Sequence, residues 1–169
     1  MTDEKLRFDF SHGGAMAVEE MERVESIVRG VIEKKLPVTS QVVGLEAAKG
    51  INGLRAVFGE VYPDPVRVIA VGEEVETLLA GPEDEAWAKL SVEFCGGTHI
   101  GNTEEAHSFV LVEETAVAKG VRRVTGVTGE AAQAAIEAGA ALSAQVKAAE
   151  DGPKGEGLEG KVVELSLIH

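Results

Sequence analysis

The amino-acid sequence predicts an α+β fold, in which a mostly antiparallel sheet packs with a long amphipathic helix and an alanine-rich C-terminal helix follows. Over residues 17–35 the apolar side chains recur at intervals of three and four, which predicts a helix of about five turns with one apolar face. Several later segments alternate apolar and polar residues or form short apolar runs, as strands do. Because one long helix precedes a strand-rich middle, we expect helix and sheet to form separate layers.

Local signals bound each predicted element. Glutamates lie in the first turns of the long helix and Lys34 and Lys35 lie at its end, which complements the helix dipole, and Pro37 prevents its continuation. Residues 72–89 are acidic and contain a Gly-Pro pair, so we expect a surface insertion there. A short helical turn is expected at 45–49, and strands are expected at residues 6–10, 38–43, 54–58, 66–71, 91–95, 107–113 and 120–127.

The chain changes character after Gly129. We expect an α+β domain over residues 1–129 and the start of a C-terminal helical segment over residues 130–150, where alanine is abundant. A linker and tail are expected over residues 151–169, since Asp151-Gly-Pro-Lys-Gly-Glu-Gly157 has the composition of a linker. A short apolar run within the tail predicts a terminal strand or helix.

Composition limits the class of protein. The chain has 169 residues, of which 44% are hydrophobic and 27% are charged, as in a soluble globular domain. Its net charge of −13 argues against general binding to DNA or other nucleic acid, because phosphate contact favours a basic surface. No apolar run approaches the roughly 20 residues that cross a membrane. With one cysteine and no apolar leader, we expect a cytoplasmic protein, and a mitochondrial location stays open.

The most informative stretch is Val92-Glu-Phe-Cys-Gly-Gly-Thr-His-Ile-Gly-Asn-Thr103. A thiolate and an imidazole are good ligands for zinc, and the two glycines tolerate the positive φ of a sharp turn. Cys95 and His99 therefore predict half of a tetrahedral metal site, although a catalytic zinc normally has three protein ligands. The alternative is that Cys95 is a small buried hydrophobe beside an ordinary turn.

Several blocks of the sequence carry a resemblance to a known family. They are Leu6-Arg-Phe-Asp-Phe-Ser-His12, Leu54-Arg-Ala-Val-Phe58 with Tyr62-Pro-Asp-Pro-Val66, Phe94-Cys-Gly-Gly-Thr-His99 with Asn102-Thr103, and Ala118-Lys-Gly-Val-Arg-Arg-Val124 with Val127-Thr-Gly129. In order and separation they resemble the editing domain of alanyl-tRNA synthetases, the threonyl/alanyl-tRNA synthetase second additional domain, of the eukaryotic type. The resemblance covers roughly residues 5–150.

This resemblance implies a zinc-dependent hydrolase that removes serine or glycine wrongly attached to tRNA(Ala), whose 3′ end would be the partner. One zinc ion is implied, with Cys95 and His99 matching the family's C-x-x-x-H pair. The family's H-x-x-x-H pair lies upstream of the first block, so we expect an N-terminally truncated module with a partial zinc site and no aminoacylation domain. A further departure is His107-Ser108, where the family more often has Gly-Asp.

Around the expected zinc, we assign substrate or tRNA contacts to a few residues. Gly96 and Gly97 would let backbone N–H groups approach the substrate, and Thr98 is a candidate polar contact, although a threonine beside a turn is often a local cap. Arg122 and Arg123 alternate across a strand, so one is expected to meet phosphate while the other pairs with a glutamate.

Three hypotheses follow for function. The chain is a fragment of an alanyl-tRNA synthetase that carries part of the editing site, a non-catalytic module that binds tRNA or a protein partner, or a free-standing deacylase that edits in trans. The last requires further zinc ligands, from His12 and His107, from the missing N-terminal part of the synthetase or from a second polypeptide.

Overall fold

A computed structural model describes residues 5–57 and 59–151 of the chain. Its helices are α1 (Val18–Glu33), α2 (Leu45–Lys49), α3 (Val75–Ala80) and α4 (Gly129–Glu150), and 3-10 turns occupy Glu85–Lys89 and Thr103–Ala106. Its strands are β1 (Leu6–Ser11), β2 (Val38–Val43), β3 (Val66–Val71), β4 (Ser91–Phe94), β5 (Phe109–Ala118) and β6 (Val121–Thr128). The fold is α+β as predicted, with antiparallel strands, one long early helix and a long C-terminal helix.

The strands form two sheets, whereas the sequence suggested one. In the described residues β1, β6 and β5 make one antiparallel sheet in that order, and β2, β3 and β4 make the other. Which strands belong to which sheet is decided by pairing between segments that are far apart in sequence, such as β1 and β6. Local alternation of apolar residues therefore predicted the strands but could not predict their division between sheets.

The main core lies between the β2–β3–β4 sheet and helices α2 and α3. Val68, Val92 and Leu78 are completely buried there, and Val75 is 2% exposed. Val75 and Leu78 belong to the acidic stretch 72–89, so the prediction of a surface insertion is wrong: its glutamates face solvent while its apolar residues fill the core.

The strand predicted at residues 54–58 is also wrong over its described part. Only Arg55 pairs there, in an isolated parallel bridge with Glu93. The Arg55 N–H donates to the Val92 carbonyl over 2.8 Å, and the Phe94 N–H donates to the Arg55 carbonyl over 3.3 Å. This short segment thus fixes the outer edge of β4, the strand that leads into the cysteine motif; residue 58 lies outside the described residues.

Helix α1 closes the free edge of β5. The Glu25 carboxylate accepts a hydrogen bond from the Leu111 N–H at 2.7 Å and pairs with Arg29, whose Nε donates to the Phe109 carbonyl at 2.8 Å. An unpaired edge strand is a template for association, and here two side chains satisfy its backbone groups. Helix α4 packs against β5 and β6, with Ala132 completely buried.

Beyond Asp151, the predicted linker and the predicted apolar element of the tail lie outside the described residues. None of the described helices combines the length and apolar character that would span a membrane.

Candidate metal centre

Strand β4 places alternate side chains on opposite faces of its sheet. Phe94 packs against the main core, so Glu93 and Cys95, its neighbours on either side, emerge together on the other face. Cys95 follows the strand directly, and its N–H donates to the Arg67 carbonyl of β3 over 3.3 Å. The thiol therefore starts from a fixed strand rather than from a loose loop.

The chain turns back after Cys95, and from Gly101 onward its backbone is again hydrogen-bonded to a neighbouring segment. Gly101 accepts a hydrogen bond from the Val38 N–H, and the Thr103 N–H donates to the Leu36 carbonyl, both over 2.9 Å. The Thr103 hydroxyl, which is buried, accepts from the Leu36 N–H over 2.8 Å and donates to the Val31 carbonyl over 3.0 Å. These bonds hold the segment after His99 against the connection between α1 and β2.

This path brings Cys95 and His99 together. One ligand atom each from Glu93, Cys95 and His99 lie within 4.8 Å of one another. Sequence reasoning found the cysteine and the histidine from their spacing but missed Glu93. The signal was present, because a residue two positions before a cysteine on a strand lies on the same face.

The three side chains are not engaged elsewhere. Within the part of the chain that the structure describes, the Glu93 carboxylate, the Cys95 thiol and the His99 ring take part in no hydrogen bond or ion pair. Glu93 and Cys95 are half-buried, and His99 is exposed. Three converging donors without partners can accept a cation, and the exposure of His99 leaves one side of the group open to solvent.

The donor set fits zinc in number and kind. Thiolate, imidazole and carboxylate are all ligands that zinc accepts, and three protein ligands with one open position is the pattern of catalytic zinc sites. Ligand atoms around a tetrahedral zinc are about 3.5 Å apart, given bonds of 2.0–2.3 Å. The three atoms, within 4.8 Å, would have to close by roughly 1 Å, which small side-chain rotations can provide.

The two glycines after Cys95 do not have the backbone angles that the sequence suggested. We expected positive φ at Gly96 or Gly97, but neither adopts it. A Cβ on Gly97 would lie 3.6 Å from the Cys95 sulfur, and a Cβ on Gly96 would meet nothing within 4 Å. Of the two, only Gly97 is therefore placed where a side chain would lie beside the thiol, at an ordinary contact distance. Thr98 is exposed and caps no described group.

The structure does not bring His12 or His107 into this group of donors among the described residues. His12 lies beyond β1 and its Nδ1 is 2.8 Å from the Gly14 carbonyl oxygen. His107 is the centre of a tight turn with φ 57° and ψ −70°, in which the Ser108 N–H donates to the Ala106 carbonyl over 2.7 Å. Glycine adopts that backbone angle easily, and glycine is the residue that the resemblance implies at this position.

Arg122 and Arg123 lie in the other sheet and are both paired with carboxylates. Arg122 binds Glu114 across the strands, and Arg123 binds Asp9 at 2.6 Å. The hydrogen bond from each arginine lowers the pKa of its partner carboxyl below the usual range. The two arginines alternate across β6, as expected. Each guanidinium is already paired with a carboxylate, so neither is left unpaired to bind an RNA phosphate.

A cavity of about 710 Å³ lies on the opposite side of β4 and includes neither Cys95 nor His99. It opens beside Phe94 and Tyr62, which are part of the main core. The side chains that line it include no cluster of metal ligands among the described residues. We therefore place the candidate site at the converging donors, on the surface, and not in this cavity.

Known proteins match the segment of the chain that holds this site. The profile of the threonyl and alanyl tRNA synthetase second additional domain matches residues 66–125, which include the cysteine motif. The mitochondrial alanine–tRNA ligase of Saccharomyces cerevisiae is 47% identical over 97% of this chain, which is 17% of that protein. The cytoplasmic alanine–tRNA ligase of Dictyostelium discoideum is 52% identical over 79% of this chain, which is 14% of that protein.

The alanine–tRNA ligase of Schizosaccharomyces pombe is 42% identical over 99% of the chain and is likewise matched over 17% of its length. The chain thus spans about a sixth of the curated relatives it matches, of which the Saccharomyces cerevisiae enzyme is named as mitochondrial and the Dictyostelium discoideum enzyme as cytoplasmic. The resemblance to the editing domain of eukaryotic alanyl-tRNA synthetases is confirmed. Residues 66–125 match the threonyl and alanyl tRNA synthetase second additional domain, and most of the chain is similar in sequence to alanine–tRNA ligases.

Proposed function

We propose that this chain carries an editing site that hydrolyses the ester between a misattached serine or glycine and the 3′ end of tRNA(Ala), as part of tRNA aminoacylation. One zinc ion would be held by Cys95, His99 and Glu93. The observation that carries the proposal is the convergence of these three unengaged donors within 4.8 Å in a chain of this family. The fourth position is left for water, for substrate, or for a ligand from another polypeptide.

The reaction adds water across an ester bond and releases the free amino acid and the 3′ hydroxyl of the tRNA. When bound, zinc supplies polarisation of a carbonyl or activation of a water molecule. The chain itself supplies hydrogen-bond donors beside the thiol, because the backbone N–H groups of residues 96–99 have no acceptor within the described residues. Such fixed donors stabilise the negative charge that develops on the ester oxygen.

Selectivity requires a group that recognises what alanine lacks. The Thr98 hydroxyl is exposed, unpaired within the described residues, and one residue from His99. A site that hydrogen-bonds a substrate hydroxyl discriminates better than one that senses size alone. We assign Thr98 this role toward serine. Because Arg122 and Arg123 already hold carboxylates, we assign them to holding the sheet together rather than to the tRNA.

Deacylation of seryl-tRNA(Ala) by the full chain with one equivalent of zinc tests the proposal, with alanyl-tRNA(Ala) as the substrate to be spared. We expect hydrolysis above the spontaneous rate and its loss in Cys95→Ala, provided that circular dichroism shows an unchanged fold. Absence of hydrolysis at micromolar chain would remove the catalytic proposal. Binding of tRNA without hydrolysis would instead support the non-catalytic module.

A further inference from the structure

We propose that Arg67 is the positioning residue that holds the turn between Cys95 and His99 in its metal-binding shape. The turn is defined here as residues 96–100. This inference rests on the proposed metal site, but the contact on which it depends is independent of any metal. The Arg67 guanidinium donates a hydrogen bond to the Gly97 carbonyl, at the middle of the turn.

Arg67 holds the motif at two points. Arg67 lies on β3, and its backbone carbonyl accepts a hydrogen bond from the Cys95 N–H, which fixes the start of the turn. Its side chain donates a hydrogen bond to the Gly97 carbonyl. A strand residue half-buried in a sheet is a rigid base for such a contact. A single residue on β3 thereby fixes the start of the turn through its backbone and the direction of the turn through its side chain.

The turn has no other fastening among the described residues. Gly96, Thr98, His99 and Ile100 make no backbone or side-chain hydrogen bond there, and the next tethers begin at Gly101. Without the bond to Gly97, the five consecutive residues between Cys95 and Gly101 would have no hydrogen bond to the rest of the described fold. His99 would then sample many positions, and the approach of its ring to the Cys95 sulfur would be lost for most of the time.

An arginine is suited to this task for a chemical reason. Its planar guanidinium carries five N–H donors in a fixed arrangement, so one of them can bind the Gly97 carbonyl. Lysine offers a shorter, more mobile donor, and methionine offers none. Loss of a contact that orients a metal ligand typically weakens metal binding 10- to 100-fold.

The experiment compares the full wild-type chain with Arg67→Met, Arg67→Lys and a control, Arg23→Met, which removes an exposed arginine of α1 that makes no hydrogen bond or ion pair among the described residues. Zinc affinity is measured by competition with a chromophoric chelator. We expect Arg67→Met to bind zinc about 10- to 100-fold more weakly, Arg67→Lys to lie between, and Arg23→Met to match wild type. Equal affinity in wild type and Arg67→Met would overturn the inference.

A second readout needs no metal and separates this inference from the proposed function. Amide order parameters of residues 96–100 are measured by NMR on the metal-free proteins. We expect values near the rigid limit of about 0.85 in wild type and below about 0.6 in Arg67→Met, with β3 unchanged. If wild type binds no zinc but the turn loosens in Arg67→Met, the metal proposal fails and the positioning role stands. If the turn is equally ordered in both, the positioning role fails.

Discussion

Replacing Glu93 by glutamine tests whether the third donor contributes to metal binding. The change keeps the size and the strand position of the side chain but exchanges an anionic oxygen for a neutral amide, which zinc rarely accepts. Because the Glu93 carboxylate makes no hydrogen bond or ion pair within the described residues, its replacement leaves no partner unsatisfied in the fold. Any effect on zinc affinity therefore reports ligation rather than folding.

The expected loss of zinc affinity follows from the part of the binding free energy that one ligand contributes. Structural zinc sites with four ligands bind with about 10–16 kcal/mol, or about 3 kcal/mol for each ligand. At 1.4 kcal/mol for each factor of ten, loss of one ligand weakens binding roughly 100-fold. The atoms of the site lie within 4.8 Å and must move closer to bind, so the wild-type affinity should fall well below that of a preformed four-ligand site.

Chelator competition at fixed pH measures this change, with Glu76→Gln as the matched control, since Glu76 is exposed on α3 and has no described partner. We expect Glu76→Gln to bind zinc as wild type does. An affinity for Glu93→Gln within threefold of wild type would refute the three-donor site and leave Cys95 and His99 as the only ligands in the described residues.

Three further predictions concern stability. Gly126→Ala should lower the free energy of unfolding in urea by about 1–3 kcal/mol, because the new Cβ would lie 2.7 Å from the buried ring of Phe109. Thr103→Val should cost about 2–3 kcal/mol by leaving the two backbone groups that its hydroxyl satisfies without a partner, and unchanged urea midpoints would contradict this. The hydrogen bond from Arg122 lowers the pKa of Glu114 in the folded protein. The ionised Glu114 therefore stabilises the fold fully above its unfolded pKa of about 4.3, and this stabilisation disappears as pH falls through the lower folded pKa. Urea midpoints measured from pH 6 to pH 3 should therefore fall less steeply in Arg122→Met than in wild type.

A glycine-to-alanine control separates crowding at residue 126 from general effects of the exchange. Gly139 lies within α4, and a Cβ there meets nothing within 4 Å. Gly139→Ala should raise the free energy of unfolding by about 0.5–1 kcal/mol, because glycine weakens a helix interior. Destabilisation by both exchanges would show that the close contact with Phe109 is not the cause.

The sequence allowed prediction of those features that local physics determines. The amphipathic spacing of residues 17–35 predicted α1, which runs from Val18 to Glu33, and the C-x-x-x-H spacing predicted that Cys95 and His99 meet. Both depend on residues close together in the chain. Helix dipole, side-chain period and loop length all act over such short separations.

Features that depend on distant partners were missed. We predicted that the acidic run 72–89 is a surface insertion, yet its Val75 and Leu78 are buried in the core against the β2–β3–β4 sheet. Their burial depends on strands that are distant in sequence. The contact of Arg67 with Gly97 spans thirty residues, and nothing near Arg67 in the sequence indicates it. The alternation of a strand was enough to predict that Glu93 lies on the same face as Cys95. That His99 returns to this face depends on the path of the turn, which only the structure shows.

X-ray absorption at the zinc edge, on the full chain loaded with one equivalent of zinc, tests the central claim most directly. The convergence of Cys95, His99 and Glu93 predicts a single sulfur at about 2.3 Å with nitrogen and oxygen neighbours at about 2.0–2.2 Å, and loss of the sulfur in Cys95→Ser. A zinc shell of nitrogen and oxygen alone in the wild-type chain would contradict the claim that this thiol and this imidazole share an ion.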